Sequence, residues 1–197
     1  PNNFRNASPD LIKNWTLTDV FPPGSTFKII TVASAMELGK INEHSTVLDT
    51  GKTTIGKWEI KNYDYDVHPY PGNISLEYLF EHSSNIGAIN IAKTMTAKEF
   101  YDMLKKFGYG AKTGIDLPGE SSGLLPYYTS WDQGIHATMS YGYGTSVTAM
   151  QMISAVQALA NNGVKVTPHV IKYSPEEEEL KIQRVQVVSP ETARSIT

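Results

Sequence analysis

The chain has 197 residues, 40% hydrophobic and 19% charged, with a formal net charge of −3 and no cysteine. That length supports one domain with a sizeable core, and the composition is globular rather than disordered. Disulfides and thiolate metal sites are excluded, mild acidity leaves no basic footprint for nucleic acid, and no apolar stretch approaches the roughly 20 residues of a membrane-spanning helix.

Residues 1 to 20 are polar and read as irregular. Residues 25 to 38, "STFKIITVASAMEL", read as a helix that is apolar on most faces, hence deeply buried, with Gly39 as its stop. Residues 45 to 74 are mixed and broken at Gly51, Gly56 and Gly72, with "TTIGKWEI" as a short hairpin. "SLEYLFEH" reads as a short helix capped by Ser75, and "NIGAINIAKTM" and "AKEFYDMLKKFG" as two more, the last ending at Gly108. Residues 108 to 145, rich in Gly, Tyr and Pro, read as a long ordered loop region. "VTAMQMISAVQALANNG" is a further helix with an Asn-Gly stop. "VKVTPHVIKY" and "IQRVQVV" read as two strands joined by a solvated acidic loop, "PEEEEL". The last stretch, "SPETARSIT", is a helix start with Ser189 as N-cap and Pro190 at its first position. The start at Pro1 and this late helix start lead us to expect a piece of a longer protein. The expected class is helix-dominated α+β.

"FPPGSTFKII" carries the first candidate chemistry. Ser25 and Lys28 are spaced i, i+3, which puts them on one helix face. A serine at a helix start feels the partial positive charge of the free N–H groups. A desolvated lysine beside it can lose its proton and act as base. The plainer reading is an N-cap serine and a lysine whose stem lies along apolar surface. "HSSNIG" is the second candidate: Ser83 and Asn85 in a turn between helices can aim a hydroxyl and an amide at one point, or Ser83 or Ser84 simply caps the next helix. "TGKTT" lacks the upstream glycine of a phosphate loop, since Thr46 stands there. "KTG" at 112 to 114 precedes a turn-rich stretch rather than a β-branched strand and reads as structural. The histidines at 44, 68, 82, 136 and 169 show no close pairing and read as caps, bridges or solvent-facing groups rather than metal ligands. Tyr141 and Tyr143 of "YGYG" could line a groove, although packing is their commoner role.

Taken together and in order, "FPPGSTFK", "SSN", "FGYGAKTGIDLPGESSGLLP" and "SYGYGTSVTAMQMISAVQALANNG" resemble the transpeptidase domain of class B penicillin-binding proteins, over nearly the whole chain. The "SSN" and "YGYG" versions lean toward the cell-division branch. The resemblance implies the largely helical part of the serine D,D-transpeptidase and β-lactamase-like fold, residues 1–197 being a partial domain. Most of the central antiparallel sheet would be missing at both ends, and the chain would stop before the catalytic Lys-Thr-Gly strand. It implies an acyl-enzyme mechanism on D-Ala-D-Ala stem peptides that cross-links peptidoglycan, with β-lactams as mimics of the donor.

In that reading Ser25 is the nucleophile and Lys28 its base. Ser83 relays a proton to the leaving amine, Asn85 hydrogen-bonds Lys28 and the substrate amide, and the Ser25 N–H is half of the oxyanion hole. No cofactor or metal is implied. The implied location is the extracytoplasmic face of a bacterial membrane, held by an upstream anchor, with lipid-linked precursor polymerases as partners. A β-lactamase or carboxypeptidase of the same superfamily, or a non-catalytic penicillin-binding sensor or scaffold, are the rivals.

Overall fold

The computed structural model describes residues 4–197. Where the sequence reads as irregular, the chain makes a 3₁₀ turn (Phe4–Asn6) and two single-turn helices, α1 (Pro9–Ile12) and α2 (Trp15–Thr18). Leu17 is fully buried and anchors α2. Residues 1–3 of that stretch lie outside the described residues.

A 3₁₀ turn, Gly24–Phe27, runs directly into α3 (Lys28–Glu37). Seven residues of α3 are buried: Lys28, Ile30, Thr31, Val32, Ala33, Ser34 and Ala35. A helix apolar all round must be enclosed by neighbours, and α3 is the axis of the core. The chain leaves it through Gly39 at φ +66°, where the N–H of Lys40 donates to Ala35 O at 2.9 Å and closes the left-handed stop.

Four short strands follow: β1 (Thr46–Asp49), β2 (Lys52–Ile55), β3 (Trp58–Lys61) and β4 (Gly72–Ser75). β2 and β3 form the expected hairpin, Ile55 facing Trp58 across Gly56-Lys57. β1 pairs antiparallel with β4. That pairing is non-local, which explains why residues 45 to 74 look mixed in sequence.

Three helices follow, of which the second and third pack on α3. These are α4 (Leu76–Glu81), capped by Ser75, α5 (Asn85–Ala92), and α6 (Ala97–Phe107), which opens with a Thr96–Glu99 capping box and ends at Gly108 with φ +103°. α6 buries Phe100, Met103, Leu104 and Phe107 toward the core.

The region 108 to 145 departs from the sequence reading by containing a helix, α7 (Gln133–Met139), capped by Asp132 through the Ile135 N–H at 2.7 Å. Its glycine and the surrounding turn composition mask its short apolar face. The rest of the region is ordered by two buried polar side chains. Glu120 accepts from the N–H groups of Thr113 (2.7 Å) and Gly114 (3.1 Å), so "KTG" is a tied turn. Gln151, 2% exposed, donates to the carbonyls of Ala111 (2.7 Å) and Ser122 (2.8 Å). The same Gln151 accepts from Thr148 N in the capping box that opens α8 (Ala149–Ala160).

The final stretch holds β5 (Val164–Val166), paired with β6 (Arg184–Gln186). Between them the acidic run is not a loop but an exposed helix, α9 (Pro175–Lys181). Ser174 and Glu177 form its capping box, and its acidic first turn suits the helix dipole. α10 (Pro190–Ile196) starts at Ser189 as expected, and Glu37 at the end of α3 accepts from Ser189 N and Thr192 Oγ1 at 2.7 and 2.9 Å. The described residues thus form a helical body with three separate two-stranded sheets.

Replacing Gln151 by Ala strands two buried carbonyls and opens the cap of α8. We expect a loss of about 2–3 kcal/mol, read as a lowered urea midpoint, while Glu179→Ala on exposed α9 leaves the midpoint where it was.

Candidate active site

The 3₁₀ turn at 24–27 puts Ser25 on the surface and Lys28 in the core, 2% exposed. Ser25 is not a cap. The residue at the N-cap of its turn is Pro23, with no side-chain capping bond, and the Ser25 hydroxyl instead accepts from Lys28 Nζ at 3.1 Å. The N–H groups of such a first turn have no partner within the helix.

Ser83 and Ser84 divide the two jobs that the sequence leaves open between them. Ser84 caps α5, accepting from Gly87 N at 2.8 Å. Ser83 sits in the turn between α4 and α5 with φ +51°, a conformation that side-chain-bearing residues seldom adopt. That turn aims both its hydroxyl and its carbonyl at Lys28: Nζ donates to Ser83 Oγ at 2.9 Å and also to Ser83 O. The lysine's three protons therefore have three acceptors. Burial pushes the Lys28 ammonium from the ordinary value of 10.5 down to about 8, and the negative charge of Asp49 opposes that fall.

Asn85 is placed differently from the sequence expectation. It is the first residue of α5, and its amide donates to Lys61 O on β3 at 2.9 Å. The acceptors of the Lys28 ammonium are oxygens of the two serines, Ser25 and Ser83. Holding α5 against the hairpin is the geometry Asn85 has here.

Asp49 escapes sequence reading altogether. It is fully buried at the end of β1 and accepts from Gly51 N (2.7 Å), from Asn62 Nδ2 (2.9 and 2.7 Å) and from Ser84 Oγ (2.5 Å). Asn62 in turn accepts from the N–H groups of Asn85 and Ile86 at 2.9 and 3.1 Å. This carboxylate joins the hairpin, the start of α5 and the field at Lys28. "TGKTT" contributes Gly51 to this network and no phosphate loop.

"YGYG" lies against the serine from the other side. Gly24 N donates to Gly142 O at 3.2 Å, and a Cβ on Gly142 would fall 2.3 Å from Gly24 O. With φ +83° as well, only glycine fits. Tyr143 is 64% exposed above Gly24, whereas Tyr141 packs beside Ile86, Ile89 and Ala137. What the site offers chemically is an accessible hydroxyl bonded to a desolvated amine, with a second hydroxyl on the same amine.

The family described as the penicillin binding protein transpeptidase domain matches residues 1–197. The chain is 36% identical over 189 residues to the penicillin-binding protein PbpB of Mycolicibacterium smegmatis, covering 93% of this chain and 28% of that protein. It is 35% identical over 175 residues to the peptidoglycan D,D-transpeptidase FtsI of Escherichia coli, covering 89% of this chain and 29% of that protein. It therefore spans under a third of the length of these relatives. Among solved structures, penicillin-binding protein 3 of Mycobacterium tuberculosis with aztreonam aligns at a TM-score of 0.82 and 32% identity, over 93% of this chain and 41% of that one. The transpeptidase domain of penicillin-binding protein 3 from Burkholderia pseudomallei aligns at 0.84 and 32%, over 94% and 54%.

Because Lys28 binds its proton less tightly folded than unfolded, folding releases a proton between pH 8 and 10.5, and its burial cost falls as pH rises through that window. Full conversion of the shift gives about 3 kcal/mol; discounted for water reaching the site beside exposed Ser25, we expect the stability difference, wild type minus Lys28→Met, to rise by about 2 kcal/mol, measured by urea unfolding across that window.

Proposed function

The chain belongs to the penicillin-binding protein transpeptidase domain family, and from that premise we propose that it carries the acylating half of a peptidoglycan D,D-transpeptidase site. The observation that supports this most is the single buried amine bonded to both Ser25 Oγ and Ser83 Oγ, at 3.1 and 2.9 Å.

In this reading Lys28, whose pKa burial lowers to about 8, acts in its deprotonated form and takes the proton of Ser25 Oγ. The oxygen attacks the carbonyl between the two D-Ala residues of a stem peptide. The Ser25 N–H faces the negative charge that develops on that carbonyl oxygen, joined by the partial positive charge of the helix start. The C–N bond then breaks. The proton held by Lys28 passes through the Ser83 hydroxyl to the departing amine, and D-Ala leaves. An amine from a neighbouring strand attacks the ester, forms the cross-link and returns Ser25. A β-lactam enters by the same first step, its ring amide opening on Ser25, and stays because its amine remains tethered. Asn85, on this proposal, contributes by fixing the turn that bears Ser83 against the hairpin. The substrates place the reaction on the extracytoplasmic face of a bacterial membrane, beside the polymerases that supply lipid-linked precursor. Among the described residues, no helix is long and apolar enough to cross a membrane.

The test is labelling with a fluorescent penicillin, on the protein as expressed from its own gene. Ser25→Ala is expected to abolish the label and to cost about 1–2 kcal/mol of stability, because it removes one acceptor of the buried Lys28 ammonium and no helix cap. Lys28→Met is expected to slow labelling by about a thousandfold or more, the order of general-base catalysis plus loss of nucleophile activation. In the wild type the rate should rise with pH to a plateau above about 8, as the amine loses its proton. Label that survives Ser25→Ala, or no label on the wild type, would sink the acylation reading and favour a scaffold.

A further inference from the structure

His68 and His82, separate in sequence, are neighbours in the fold. Their rings meet edge to face at 5.4 Å between centroids. Asp64 and His68 share one face of a tight turn, because His68 N donates to Asp64 O at 2.8 Å and the i, i+4 spacing aligns the two side chains. His82 closes the group from the end of α4, its Nδ1 lying 3.1 Å from Asp64 Oδ2 and its ring stacked on Tyr78 at 3.9 Å. One ligating atom from each of Asp64, His68 and His82 falls within 4.8 Å of the others.

We propose that Asp64, His68 and His82 form a site for one divalent transition cation, with zinc favoured by the donors and water completing four-coordination. Two imidazoles and one carboxylate suit zinc, whereas magnesium and calcium take oxygen ligands. Tetrahedral zinc at bonds of about 2.0–2.1 Å needs ligand atoms about 3.4 Å apart. The observed spread of up to 4.8 Å is closed by small side-chain rotations, and exposed His68 is the ligand freest to make them.

A simple Asp64–His82 ion pair accounts for two of the three residues. It does not account for His68, whose ring has no hydrogen-bond partner among the described residues and yet converges on the pair. A cation here would tie the 64–68 turn to the residue directly before Ser83. It would thereby restrain the backbone that is held at φ +51° and faces Lys28.

The test is calorimetric titration of the chelator-stripped protein with zinc chloride, with magnesium and calcium chloride as controls. Expected are one saturable equivalent of zinc, a dissociation constant at or below about 10 μM, as three protein ligands allow, and no saturation by the controls. At a hundredfold excess over that constant, Tm should rise by about 5–10 °C. His68→Ala removes an exposed ligand and should keep the metal-free urea midpoint while abolishing both zinc effects. His82→Ala should abolish them too. Zinc binding that is absent, or unchanged in His68→Ala, overturns the site. Ser25→Ala should bind zinc as the wild type does, so this outcome is separable from that of the labelling experiment.

Discussion

A buried ammonium governs this structure. Taking a lysine out of water costs several kcal/mol unless its protons are accepted and its charge is balanced. Lys28 stands at the first position of the central helix, where the chain cannot let its side chain reach solvent without unpacking the core. Its acceptors have to be brought to it. They come from the turn between α4 and α5, which places the Ser83 hydroxyl and carbonyl on Nζ, and from Ser25 one turn earlier.

That requirement propagates outward. The Ser83 turn keeps its left-handed backbone because Ser84, the next residue, is locked between the α5 cap and Asp49. Asp49 is itself buried, and it is satisfied by Gly51, Asn62 and Ser84 together. Asn62 passes the constraint on to the first two N–H groups of α5. A network of this kind is worth most when every member is paired. Here it binds β1, the hairpin and the start of α5 into one support for a single amine.

The two serines differ in what they face. Ser25 is open to solvent while its lysine lies in the core, so the hydroxyl is reachable from outside while the amine stays largely desolvated. The close approach of Gly142 to Gly24 seals the far side of the 3₁₀ turn and leaves Tyr143 at the rim. His82 adjoins Ser83 in the chain and belongs to the Asp64–His68–His82 cluster. The backbone that presents the hydroxyl to Lys28 thus lies between two clusters of polar side chains.

Local pattern was enough for the elements whose physics is local. The buried helix at 28–37, the hairpin, the capped helices at 76, 97 and 149 and the helix start at Ser189 all carry their apolar period, cap or turn residues in consecutive positions. The spacing of Ser25 and Lys28 was legible for the same reason, and so was the family, from four stretches in order. The glutamate run hid a helix because α9 has a cap but no buried face, and α7 was hidden by the glycine and turn residues around it. Which serine of "SS" caps and which faces the lysine was settled by the left-handed turn at Ser83. The roles of Asp49 and Asn62, the hydrogen bond of Asn85 to Lys61, and the meeting of His68 with His82 were decided only by tertiary structure. Each depends on a partner brought in from a distant segment, and no local preference of the chain encodes that approach.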